Sequence, residues 1–179
     1  MAKRTRGLLS MNEKRLYFYR LISALLPDMG AYGIKNRLLK WAGAEIGDGV
    51  RICSSARISG GGRLTIGDGT WIGTEALIRA SPNSTVSIGK NVDVAPRVLI
   101  WTGTHLVLMN EVKAAGPGMS KDIVIKDGAW IATGVIVCPG VCVGECAVVA
   151  AGSVVVKDVP ARTLSAGCPA AVKKAPPPN

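Results

Sequence analysis

From Ile125 to Val155 an aliphatic residue recurs at every sixth position: Ile125, Ile131, Val137, Val143, Val149 and Val155. Four residues after each stands a small or branched one, namely Ala129, Val135, Val141, Ala147, Ser153 and Val159. Neither a helix of 3.6 residues per turn nor a plainly alternating strand gives a six-residue period with two inward positions. A triangular prism does. Three hexads, each a short strand plus a turn, close a coil of about 18 residues whose aliphatic positions stack on the coils above and below. Gly128, Gly134, Gly140, Gly144 and Gly152 then fall at the tight corners.

The same frame runs backward with two defects. Ile46, Ile52 and Ile58 form a first coil; after a slip between Gly60 and Leu64 come Ile66, Ile72 and Ile78; after an expanded corner over 80–85 come Ile88, Val94 and Ile100. Five coils are predicted. Between Thr104 and Ile125 the period is suspended, and residues 106–121, with Gly116, Pro117 and Gly118, are expected to be a loop extruded from a corner. Long loops on a regular scaffold usually carry function.

Ahead of the prism, Leu16, Tyr19, Ile22 and Leu26 stand at helical spacing, predicting a helix over 12–26 that Pro27 ends. A second short helix over Ile34–Trp41, with Leu38 and Trp41 on one side, is expected to cap the first coil. After Pro160 the chain reads as a tail, frayed over 175–179. The expected organisation is a basic helical segment over 1–44, an all-β prism over 45–165, and a tail over 166–179.

Composition sharpens this picture. A chain of 179 residues with 48% hydrophobic and 19% charged positions suits one ordered domain. Only eight residues are aromatic, while Val, Ile, Ala and Gly abound, which favours thin, repeated, β-branched packing. Nine of the 22 Lys and Arg lie in residues 1–40 against Glu13 and Asp28, a local excess of +7 on a chain of net charge +10. Such a segment is either a solvated face or one drawn to anionic lipid or an anionic substrate. Nucleic acid is not expected, since no binding motif is present. Residues 1–10 lack the apolar run of a secretion signal, and the five cysteines are odd in number, so a reducing cytoplasm is expected, with the thiols inert. The uncharged stretch 129–144 is too short to span a membrane and is broken by Gly134, Pro139 and Gly140. Cys138, Cys142 and Cys146 recur every four residues, but not on a helix, so no metal site is expected. His105 is the only histidine, which excludes a three-histidine zinc site within one chain.

The segment IKDGAWIATGVIVCPGVCVGECAVVAAGSVVVKDVPARTLSAGCPAAV, with TGTH ahead of the loop, resembles the closing coils of the hexapeptide-repeat O-acetyltransferases, the left-handed β-helix enzymes that include galactoside, maltose and capsular or O-antigen acetyltransferases. The resemblance covers Glu45–Val172, and YGIKNRLLKWAGAEIG is similar to the lead-in of members that decorate surface polysaccharides. It implies a left-handed parallel β-helix, a homotrimer with acetyl-CoA between neighbouring prisms, no metal, and a saccharide acceptor. The family's catalytic histidine precedes the loop in T-G-x-H, which His105 matches. An imidazole suits the chemistry, because a sugar hydroxyl attacking a thioester needs a base near neutral pH.

Donor contacts carried over from the resemblance are Trp130 beside the groove, Thr133 and Ala151 along the pantetheine arm, and Val156 and Lys157 where the family has T-K. Lys173 and Lys174 stand near the nucleotide end. On the acceptor side the pattern departs, since Gly73 occupies the position of a sugar-binding Asn. Glu75, Trp101 and Thr102 are then candidate acceptor contacts, and Glu111 is a candidate to orient His105 or to reach the neighbouring acceptor. The expected activity is acetyl-CoA-dependent O-acetylation of a saccharide in surface-polysaccharide synthesis. Amino-sugar-nucleotide N-acetylation, serine acetylation and a non-catalytic scaffold are the alternatives. The N-terminal helix either docks on a neighbouring prism or contacts an anionic inner membrane face.

Overall fold

The computed structural model describes residues 10–109 and 112–174. Short parallel strands wind into a three-faced, left-handed β-helix of about five turns. The first face carries Glu45–Ile46, Arg63–Ile66, Thr85–Ile88, Ile123–Ile125 and Cys142–Val143. The second carries Arg51–Ile52, Trp71–Ile72, Asp93–Val94, Trp130–Ile131, Val148–Val149 and Leu164–Gly167, and the third carries Arg57–Ser59, Leu77–Arg79, Leu99–Trp101, Ile136–Val137 and Val154–Val155.

The six-residue frame becomes physical as stacked rows. Ile46, Ile66, Ile88, Ile125 and Val143 pair in register down the first face. Ile52, Ile72, Val94, Ile131 and Val149 do so on the second, and Ile58, Ile78, Ile100, Val137 and Val155 on the third. All are buried, as are Ala129, Val135, Val141, Ala147, Ser153 and Val159. Parallel pairing here needs no crossover helix, because one circuit of the coil returns each strand beside its predecessor. Corner residues take left-handed backbone angles, at Gly128, Gly134, Gly140 and Gly152 but also at Cys146 (φ 52).

The helices differ from expectation in detail. Helix α1 spans Glu13–Ser23, capped by the Asn12 side chain, which accepts from the Arg15 amide at 3.1 Å. It stops before Pro27 because the amides of Leu25 and Leu26 bond three residues back, to Ile22 and Ser23, tightening the last turn. Leu16 and Tyr19 are buried, whereas Ile22 is 40% exposed. Burial pushes the Tyr19 phenol up to about 12, so it stays neutral.

Helix α2 spans Tyr32–Trp41, buries Lys35 and Leu39, packs Leu38 half-buried against the core, and leaves Trp41 exposed. The Lys35 ammonium donates to the Asp28 carbonyl and the Ser54 hydroxyl, each at 3.1 Å, which makes a buried cation tolerable. Trp41 is instead roofed by the Arg15 guanidinium, 5.0 Å from its ring.

Two further segments gain structure. The loop expected over 106–121 is a β-hairpin arm, Gly103–Val107 antiparallel to Ala115–Ser120. The tail expected after Pro160 continues the second face: Leu164–Gly167 pairs in parallel with Val148–Val149, then turns back as Ala170–Lys174. The reading of 175–179 lies outside the described residues.

Candidate active site

His105 sits in the first strand of the arm, which leaves the edge between the third and first faces. Its Nδ1 lies 2.9 Å from the Gly116 carbonyl on the opposing strand. A carbonyl only accepts, so Nδ1 carries the proton and Nε2 keeps a free lone pair. Pro117 restricts Gly116 to extended backbone, which fixes that carbonyl. A Cβ at 116 would meet Leu108 Cδ1 at 2.7 Å, so the Leu108 side chain would have to shift to admit it.

The imidazole opens onto a cavity of about 680 Å³ between the arm and the expanded corner over 80–85. Trp101, a candidate acceptor contact, lines it beside His105. Thr102 does not line it. That side chain is fully buried, its hydroxyl accepting from the Ser81 amide at 2.8 Å and lying 2.7 Å from Ser84 Oγ. Thr102 therefore shapes the corner that walls the cavity and is unavailable to an acceptor. Replacing Thr102 with Val should leave the Ser81 amide unpaired in that corner and destabilise the fold by about 1–3 kcal/mol, read as a lower Tm in thermal unfolding. An unchanged Tm would mean the corner does not depend on this bond.

Glu75 is also placed elsewhere. It stands on the edge between the second and third faces, where its carboxylate pairs with Arg97 at 2.7 Å. Glu111 lies outside the described residues.

Of the donor candidates, Trp130, Thr133 and Ala151 come together in a groove of about 400 Å³ at the second-to-third edge. Ala95, Ala132 and Ala150 line it too, giving the small side chains that a flexible amide-bearing chain needs beside it. Leu164 closes the lower end, and its cross-strand neighbour is Lys174. Lys173 and Lys174 are thus exposed on the terminal hairpin next to the groove. Val156 and Lys157 are exposed on the other edge, the one that carries the arm. Within one chain, then, His105 and the Trp130 groove occupy different edges.

The three spaced cysteines diverge. Cys138 follows a third-face strand, Cys142 lies on the first face, and Cys146 turns the corner after it. Burial pushes the Cys138 thiol up, away from the reactive thiolate.

Sequence reasoning missed Arg79, which lines the His105 cavity with its guanidinium 5.3 Å from the Trp101 ring. The signal was present, since Arg79 and Trp101 are partners on neighbouring coils.

No family model matches the chain. It is 33% identical over 135 residues to WcaF of Escherichia coli K12, named for an acetyltransferase of colanic acid biosynthesis, covering 75% of this chain and 71% of that one. It is 33% identical over 137 residues to the galactoside O-acetyltransferase of Lactococcus lactis, covering 76% of this chain and 65% of that one. A relative from Schizosaccharomyces pombe, named as an acetyltransferase, is 45% identical over 85 residues, and the match spans 48% of this chain and 41% of the relative's length. The fold is shared with a maltose O-acetyltransferase from Clostridium difficile 630 (TM-score 0.61, 22% identity, 91% of this chain and 85% of that one). It is shared too with a hexapeptide-repeat acetyltransferase from Vibrio cholerae bound to acetyl-CoA (TM-score 0.55, 21% identity, 91% and 86%). With its stacked hexads, arm and corner pattern alongside these relatives, the chain belongs to the hexapeptide-repeat acetyltransferase family.

Proposed function

We propose that the protein is an acetyl-CoA-dependent O-acetyltransferase acting on a saccharide hydroxyl in surface-polysaccharide synthesis. The observation that carries this reading is the clamp of His105 Nδ1 on the Gly116 carbonyl, which leaves Nε2 as a base at the wall of a cavity large enough for a sugar. Nε2 takes the hydroxyl proton as the oxygen attacks the thioester carbonyl carbon. The tetrahedral intermediate collapses, the C–S bond breaks, and the imidazolium returns its proton to the departing sulfur, giving an acetate ester and free CoA thiol. No acyl-enzyme is needed. WcaF supports the polysaccharide setting by its name, and the small-residue groove beside Trp130 supports the pantetheine arm. Thiol release from acetyl-CoA across saccharide, nucleotide-sugar, amine and serine acceptors tests the reading. Release with a saccharide hydroxyl supports it, and none with any saccharide overturns it.

The assembly belongs to the same reading. Outward positions on the third face form an apolar row, Leu77, Leu99, Ile136 and Val154, paired coil to coil between the two edges that hold His105 and the groove. A homotrimer packed along this face would bring one chain's groove to its neighbour's His105.

The setting is the inner membrane face. No helix among the described residues is long and apolar enough to cross a membrane. Helix α1 nonetheless presents Tyr17, Phe18 and Leu21 about half exposed, with Leu25 at 87% just beyond it, among Lys14, Arg15 and Arg20. An exposed aromatic and aliphatic patch with a cationic surround fits an anionic lipid interface, where each engaged Lys or Arg contributes ~1 kcal/mol. The protein should float with anionic liposomes, release as salt rises, and ignore neutral ones. Absence of salt-sensitive flotation would assign the patch to a neighbouring prism instead.

A further inference from the structure

The cavity beside His105 has one permanent charge among its described lining residues, and it is positive. Arg79 is half-buried on the third face, and the other charged or titratable lining group is His105 itself. Among the described residues no carboxylate lines this cavity. The described ion pairs are Lys90 with Asp68, Arg97 with Glu75 and Arg162 with Glu145, all at exposed corners, and none engages Arg79. The Trp101 ring, 5.3 Å from the Arg79 guanidinium carbon, supports it from one side without neutralising it. Arg79 also lines a smaller groove of about 230 Å³, which runs toward helix α1 and is lined there by Glu13 and Arg20. Arg20 leans on Tyr17 at 5.9 Å, and neither it nor Arg79 forms an ion pair with Glu13. The two spaces thus share at their junction a stacked guanidinium with no ion-pair partner among the described residues, and a second cation lies beyond it.

A guanidinium is planar and presents paired donors that match the two oxygens of a carboxylate or phosphate. Held against an aromatic ring in a half-buried wall, it is oriented before any ligand arrives and loses less freedom on binding. A neutral sugar would meet it with hydroxyl oxygens alone, which accept its hydrogen bonds but do not offset its charge. We propose that the acceptor is an anionic saccharide, whose carboxylate or phosphate is held by Arg79 while a ring hydroxyl reaches His105. This rests on the O-acetyltransferase reading and deepens it, and it makes Arg79 a specificity-determining residue that touches substrate.

The test compares kcat/KM for a neutral hexose, the corresponding hexuronate, the hexose 1-phosphate and the nucleoside-diphosphate-linked hexose. It uses the full chain and its Arg79→Gln, Arg79→Lys and Arg20→Gln variants, each checked for unchanged thermal unfolding. At least one anionic sugar should exceed the neutral one by roughly 10- to 100-fold, the worth of a hydrogen bond to a charged group. The hexuronate and phosphate arms tell which anion is meant. Arg79→Gln should bring the ratio close to one, Arg79→Lys should keep part of it, and Arg20→Gln should lower it only for the longer nucleotide-linked acceptor. Equal rates for neutral and anionic sugars in the parent protein, or a ratio that survives Arg79→Gln, would overturn the proposal while leaving the transferase reading intact. Equilibrium binding of the same sugars without acetyl-CoA separates the converse case. Binding that depends on Arg79, with no thiol release from any arm, would sink the transferase reading and leave an anionic-saccharide site.

Discussion

Replacing His105 with alanine should abolish acetyl transfer while leaving CoA binding close to that of the parent protein. The imidazole is clamped by the Gly116 carbonyl at the edge between the third and first faces, whereas the groove with Trp130, Thr133 and Ala151 lies on a different edge. Removing the base therefore takes away an interaction needed in the transition state and spares the groove. A lost general base typically costs ~10² to 10⁴ in rate. The fall should appear in kcat and kcat/KM alike, with KM for acetyl-CoA little changed, the pattern of a group that acts only in the transition state. Folding should not suffer, because His105 is exposed and its partner belongs to the arm rather than to the prism core. Turnover at the parent rate in His105→Ala would exclude the imidazole as base and, with it, the mechanism proposed above. A matching loss of CoA binding would instead point to a collapsed arm.

The prism was legible because its constraint is repeated at every hexad. An inward Ile or Val has no alternative when the row above and the row below are both aliphatic, so the frame from Ile46 to Val155 could be read directly. It ceased to be legible where hydroxyls replaced hydrocarbon. In the sixth, partial coil the buried inward positions are Thr163 and Ser165, and Thr163 is satisfied by the Pro160 carbonyl at 2.8 Å. Nothing in their hydropathy announces burial, which is why Leu164–Gly167 read as a tail. The arm was hidden for the opposite reason. Both its strands are largely exposed on both sides, so no apolar alternation marks them. The burial of Lys35 was hidden for a third reason, since only the fold brings the Asp28 carbonyl and Ser54 to its ammonium.

The site divides in the same way. His105 and the groove residues Trp130, Thr133 and Ala151 belong to motifs written along the chain, and the structure gathers the three groove residues on one edge and sets His105 on another. Contacts that depend on adjacency between coils were harder to see. Thr102 reads as a free hydroxyl until Ser81 and Ser84 are found on it, and Glu75 reads as a free acid until Arg97 closes on it. Arg79 becomes meaningful only when its coil is laid against that of Trp101.

Two inactive variants should restore each other's activity when assembled together. His105→Ala removes the base, and Ala151→Trp fills the groove at the second-to-third edge, so each protein alone should be inactive. The third face lies between these edges, and its outward Leu77, Leu99, Ile136 and Val154 give two chains an apolar surface to share. In a closed ring built from head-to-tail contacts, each site would combine His105 of one chain with the groove of the next. Random co-assembly of the two variants in equal amounts would then yield about one quarter of all sites with both halves intact, which is about one site in three within each mixed trimer. Coexpression with two different tags, followed by tandem purification and thiol-release assay, measures this. Recovered activity in doubly tagged trimers supports a site shared between chains. Co-assembly without recovery would place His105 and its donor groove within one chain, and a monomer in sedimentation at micromolar concentration would overturn the ring itself.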